Sequence, residues 1–195
     1  MVATVSVKVD TGGSATAPGT STDIDALGPP ALQFRTADNS TVDNLAPIVI
    51  PTSGTNYSYA KSCYLYCDVA PSVQIDNVQI YRNEASLQGT GVGVVIGNQF
   101  PTKNSGSSSG YIVATGTPGT TGNEITTFYT GVTTVTDFFT YTSSSTKLLT
   151  ISETSNIINL AGETTNYFIM QMTVASTASP GTTTNNTAII QYDEI

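Results

Sequence analysis

Two cysteines, two acidic pairs, a glycine-rich run and four closely spaced tyrosines are the groups in this 195-residue chain whose type and spacing could do chemistry. Cys63 and Cys67 sit in Ser62-Cys63-Tyr64-Leu65-Tyr66-Cys67. On a strand they share one face, roughly 13 Å apart, well beyond the ~7 Å a disulfide tolerates. They cannot pair with each other there. They are left as metal ligands, as a bridge to another chain, or as two small buried hydrophobes, which is the common fate of a free cysteine.

Asp23-Ile24-Asp25 and Asp193-Glu194 are the tightest acidic clusters. Loop carboxylates beside Asn and backbone carbonyls suit a hard cation such as Ca²⁺. Asp23, Asp25, Asp193 and Glu194 are therefore weak candidate ligands, with solvated loop acids as the plainer reading, and no cofactor is implied. Gly89-Thr90-Gly91-Val92-Gly93 looks like a phosphate loop but lacks the Lys-Ser/Thr pair and precedes a strand-like segment, not a helix. Glycines there fit bulges or close packing. Tyr57, Tyr59, Tyr64 and Tyr66 fall on one expected strand and make either a recognition surface or a buried sheet face.

Composition narrows the chemistry further. The chain has no His and no Trp. A Ser–His or Cys–His nucleophile cannot be built, and only a carboxylate pair of the glycosidase kind is left. Enzymatic activity is not expected. Charged residues are 10% of the chain, against about 25% in an average domain. The net charge is −8, and the six basic residues (Lys8, Arg35, Lys61, Arg82, Lys103 and Lys147) are scattered singly. Phosphate neutralisation needs clustered cations, so neither nucleic acid nor an acidic membrane is an expected partner. No apolar run reaches the 18 residues of a membrane span, and Met1 to Val9 shows no basic leader with an apolar core. The negative charge suits solubility at high local concentration.

The elements that must carry these groups are strands. Residues 2–9 alternate, with Val5, Val7 and Val9 on one face and Thr4, Ser6 and Lys8 on the other. Residues 11–22, rich in Gly, Ser, Thr, Ala and Pro, read as a linker. Residues 1–22 thus form an expected N-terminal strand arm, with 23–195 as the sandwich body. Such an arm could cross to a neighbouring subunit by strand addition, which makes Val5, Val7 and Val9 candidate assembly residues. An ordinary first strand followed by a long loop is the alternative. Short strands are expected over 31–35, 48–51, 92–96, 111–115, 124–129, 132–141 and 147–151. A long central one covers 57–69, and a polar loop spans 101–110. Residues 73–81 change sidedness near Asp76-Asn77, where a β-bulge fits. Residues 154–161 hold at most one helical turn. Phe168, Met170, Met172 and Val174 alternate with Ile169, Gln171 and Thr173; after Ser179-Pro180-Gly181, a last strand ends the chain. The expected fold is all-β, an Ig-like or jelly-roll β-sandwich in one elaborated domain.

The stretch Asn166-Tyr167-Phe168-Ile169-Met170-Gln171-Met172-Thr173-Val174, continuing through Ser179-Pro180-Gly181-Thr182 to Tyr192-Asp193-Glu194, carries a resemblance. So does Pro51-Thr52-Ser53-Gly54-Thr55-Asn56-Tyr57-Ser58-Tyr59, together with Val73-Gln74-Ile75-Asp76-Asn77-Val78. These segments resemble Ig-like β-sandwich structural proteins of tailed viruses of bacteria and archaea, and are similar to archaeal surface and fibre subunits. The resemblance implies a non-enzymatic particle component, a capsid decoration protein or a tail or fibre subunit. Its implied partners are copies of itself and other particle proteins, and it carries over no site residues. An extracellular filament or surface-layer subunit built by donor-strand exchange is the alternative, and a carbohydrate- or receptor-binding module a third. On this reading, removing residues 1–9 is expected to harm assembly more than folding.

Overall fold

The computed structural model describes residues 2–14, 17–27, 32–41, 45–98, 103, 110–151 and 154–195. Valine, threonine, isoleucine and tyrosine runs broken by Gly, Pro and Asn yield short antiparallel strands. In chain order these are β1 (Thr4–Thr11), β2 (Thr20–Asp23), β3 (Thr55–Tyr57), β4 (Lys61–Val69), β5 (Ile75–Arg82) and β6 (Val92–Asn98). They are followed by β7 (Gly116–Thr117), β8 (Thr121–Gly122), β9 (Thr133–Asp137), β10 (Lys147–Leu148), β11 (Phe168–Ala175) and β12 (Ala188–Glu194). Three single 3-10 turns are the helical content of the described residues. The fold is an all-β sandwich.

One sheet runs β2-β1-β4-β11-β6-β9, with β3 paired to β11 in line with β4; the facing sheet is only β10-β5-β12. Cys63, Leu65, Val94, Phe168 and Met170 of the large sheet pack with Ile75, Val78 and Ile80 of the small one in a single core. The back of the large sheet is covered too, by a chain segment carrying Ile112, Ala114, Ile125, Tyr129 and Val132 around Ile169 and Tyr59. β4 and β11 are therefore buried on both faces.

The expected arm lies inside this frame. β1 pairs with β4 from Thr4 to Asp10 and with β2 from Lys8 to Thr11. The Ile24 amide then donates to the Val7 carbonyl at 2.9 Å. Val9 is fully buried, and Val5 and Val7 pack against the main core. In this chain the three valines thus pack into their own sandwich, because alternation places them on the inner face of a strand paired with β4 along one edge and, from Lys8, with β2 along the other.

The long tyrosine strand is two strands. Residues 58–60 jog between β3 and β4, and both pair with the same edge of β11. The Ser58 hydroxyl accepts from the Met172 amide at 3.0 Å, bridging the jog. The sidedness change in β5 is a register shift against β12, with Asn77 at φ +48°; it brings Ile75, Val78 and Ile80 into the core together.

Several expected strands are irregular. Residues 32–35, 48–51 and 111–115 form none, and 124–129 are a turn closed by the Phe128 amide on the Glu124 carbonyl at 3.0 Å. Glu124 accepts the Thr127 hydroxyl at 2.9 Å, a local bond that favours the turn. Residue 31 and most of the polar loop over 101–110 lie outside the described residues.

Candidate functional site

The small sheet is too narrow for the large one. Six strand positions span roughly 24 Å and three span about 10 Å at the usual spacing between strands. The Lys147 ammonium of β10 reaches the Thr134 carbonyl of β9, while Glu194 of β12 reaches Ala3 beside β1. Among the described residues, no strand of the small sheet pairs beyond β12 under β1 and β4. Residues 32–34 and 46–50 wall it with Leu32, Phe34, Ile48 and Ile50.

What is left is a cleft of about 1350 Å³, larger than the ~300–1,000 Å³ of ordinary small-ligand pockets. Val7, Leu65, Phe168, Met172, Ile190 and Tyr192 are among the apolar side chains lining it. Beside it, among the described residues, the outer edge of β12 pairs with no strand. At seven residues β12 is the longest edge strand; β2 has four, β9 five and β10 two. Edges are normally blunted by charge, Pro or bulges. Here residues 188–192 carry no charge, and the acids Asp193 and Glu194 come only at the end.

A second constellation lies on the back of the large sheet. Asp10, 2% exposed, follows Val9 and so points to the opposite face. Its carboxylate accepts the Tyr167 hydroxyl and, at 3.2 Å, the Tyr64 hydroxyl. Lys103 stands 3.7 Å away and lies over the Tyr64 ring. Tyr64 and Tyr167 meet edge-on at 5.5 Å between ring centroids. Tyr111 donates to Asp38 at 3.4 Å, and Asp38 also takes the Gly12 amide at 2.9 Å. Burial pushes the hydroxyls of Tyr64, Tyr111 and Tyr167 up and raises Asp38. The tyrosines therefore stay protonated and act as donors that satisfy a buried charge. Nearby, burial drives Lys61 down to about 8 while its ammonium donates to the Asn39 carbonyl at 2.6 Å.

The four acidic candidates are all taken up by the fold. Asp23 accepts the Asp25 and Ala26 amides at 3.0 and 3.3 Å, and Asp25 accepts the Val7 amide at 2.9 Å. Asp193 accepts the Asn77 side-chain amide at 2.9 Å, and Glu194 the Ala3 amide at 2.8 Å. Among the described residues no three His, Cys, Asp or Glu gather as a metal-holding group. Cys63 and Cys67 are free and buried on the inner face of β4, and burial pushes the Cys63 thiol up to about 12. Gly91, at φ +76°, sits where a Cβ would stand 2.7 Å from the Ala178 nitrogen, which is close packing and not a phosphate cradle. Of the tyrosines, Tyr59 and Tyr64 are buried, and Tyr57 and Tyr66 half-buried.

Charge is sorted by depth. Arg35, Lys61 and Lys147 are buried, Lys8 stacks on Tyr66 at 3.4 Å, and Arg82 donates to the Phe139 carbonyl at 2.6 Å. Asp25, Asp68, Asp137 and Asp193 are exposed, and no described basic residue is. The outer surface is anionic. Sequence reading missed the cleft, whose walls come from residues far apart in the chain. It also missed the Asp10 cluster, for which the signal was a carboxylate continuing the β1 alternation opposite a Tyr-rich strand.

No family model, curated protein or solved structure matches this chain. No described helix is long and apolar enough to cross a membrane.

Proposed function

We propose that this chain is a non-enzymatic structural component of a virus particle, present in many copies and held in place through sheet edges. The observation that carries the reading is the uncharged outer edge of β12, unpaired among the described residues, beside an apolar cleft. A backbone edge next to an apolar trough is the surface from which strand-addition assemblies are built. The anionic exterior supports crowded copies that do not aggregate with one another, as capsid decoration requires, and the resemblance of the β3–β5 and β11–β12 segments points to the same setting. β1 pairs with β4 along one edge and, over Lys8–Thr11, with β2 along the other, so in this reading the attachment rests on β12 before Val5, Val7 and Val9. The titratable groups brought together around Asp10 are protonated tyrosines and a paired carboxylate, which hold the sheet and perform no turnover.

The test is sedimentation of lysate from cells that make the protein, with detection of this chain in each gradient fraction. The reading expects it in nuclease-resistant particles, at a copy number comparable to the main shell protein. Recovery only as a slow species of its own mass contradicts it.

A further inference from the structure

We infer that the cleft beside β12 accepts one extended strand from another protein, a segment with alternating apolar side chains flanked by basic residues. The inference rests on the proposed assembly role and names the occupant of its site.

Three observations define the guest. The free backbone groups of β12 call for a peptide edge, which a lipid or other apolar small molecule does not supply. The half-buried apolar wall of Val5, Val7, Ile48, Ile50, Ile190 and Tyr192 calls for inward side chains at every second position. The rim supplies the charge: Asp25 lines the mouth, and Asp193 and Glu194 close the end of β12. Cationic flanks on the guest complement these carboxylates.

A folded second copy is disfavoured by its charge. Pairing β12 with β12 of another copy would set two large sheets, each wider than its small sheet, edge to edge. It would also bring together two bodies of net charge −8. Seven residues of β12 offer about 23 Å of edge, so the guest pairs over six to eight residues.

The experiment uses the full chain and two peptides, Lys-(Val-Thr)3-Val-Lys and the same core flanked by Glu. The Lys-flanked peptide should bind with a Kd on the order of 10–100 μM, and the Glu-flanked one at least about tenfold more weakly. Binding of the Lys-flanked peptide should weaken as salt rises from about 50 to 500 mM. Ile190→Lys, an inward charge in the cleft wall, should abolish it. Ala188→Lys, at an exposed position, should weaken it at least fivefold and serves if the first variant does not fold. The inference is overturned if neither peptide binds, if a scrambled peptide binds equally, or if palmitate alone occupies the cleft. It is also overturned if the chain forms salt-strengthened dimers that the peptide does not dissociate. Each of these leaves the sedimentation result standing, so the two readings fail separately.

Discussion

The backbone amide of Ala3 donates to the Glu194 carboxylate at 2.8 Å, tying the start of the first strand to the end of the last. A terminus read as a candidate arm or an ordinary first strand, and a carboxylate read as a weak cation candidate, are thus used on each other. The contact closes one end of the sandwich and leaves the rest of the β12 edge open.

Removing residues 1–9 should therefore damage folding first. It deletes Val5, Val7, Val9 and most of the β4 pairing. At about 1.5–3 kcal/mol for the fully buried Val9 and less for the half-buried Val5 and Val7, the loss is on the order of 5 kcal/mol, comparable to the stability of a whole domain. Thermal melting should show no cooperative transition, and adding a peptide of residues 1–11 should restore one. An unchanged melt would mean that β1 is dispensable to the body.

Asp10→Asn should cost about 1.5–3 kcal/mol, the range for hydrogen bonds to a charged group. It weakens the bonds from Tyr64 and Tyr167 and leaves Lys103 without its carboxylate. Tyr167→Phe should cost less, and the double variant should fall short of the sum of the singles because they share one bond. Urea denaturation measures all three; strict additivity would show that the bond contributes nothing.

Gln171→Leu should be among the most damaging exchanges that remove no volume. Its side chain donates to the Ser58 and Asn123 carbonyls, each at 2.8 Å, and accepts the Ile125 amide at 3.1 Å. Leucine strands three backbone groups, at about 1–3 kcal/mol each. A melting temperature within a degree of the parent would contradict this account of the pin.

Stability should turn over in alkali. Lys61, lowered to about 8 in the fold from 10.5, binds fewer protons folded than unfolded between those values, so its contribution improves as pH rises through that window. Cys63 works the other way: raised from 9.0 to about 12, it keeps its proton in the fold, and stability falls as pH climbs through that range. Tyr64, Tyr111 and Tyr167, raised above 10.0, add to the fall beyond pH 10. Urea midpoints from pH 7 to 11 should hold or rise slightly to about 9 and then drop steeply. A continued rise would mean these groups are not buried.

The all-β class, the bulge at Asn77 and the alternation of β1, β11 and β12 were legible because a period of two and turn residues are local signals. Strand order was not: nothing in residues 168–174 and 188–194 says that one strand is central and the other an edge. The burial of Gln171 between Met170 and Met172 was not legible, because sequence does not show that the back of its sheet is covered. Residues 57–69 read as one strand, because the jog at 58–60 is set by partners on β11 more than a hundred positions away. The cleft was invisible for the same reason, as a shortage of strands on one side of a sandwich.

The most direct measurement is amide hydrogen exchange over residues 188–194, in the free chain and in the chain recovered from particles. If β12 is the attachment edge, amides facing away from β5 exchange fast in the free chain and at least about a hundredfold more slowly in the particle. Equal exchange in both states, with protection appearing elsewhere, would contradict the account.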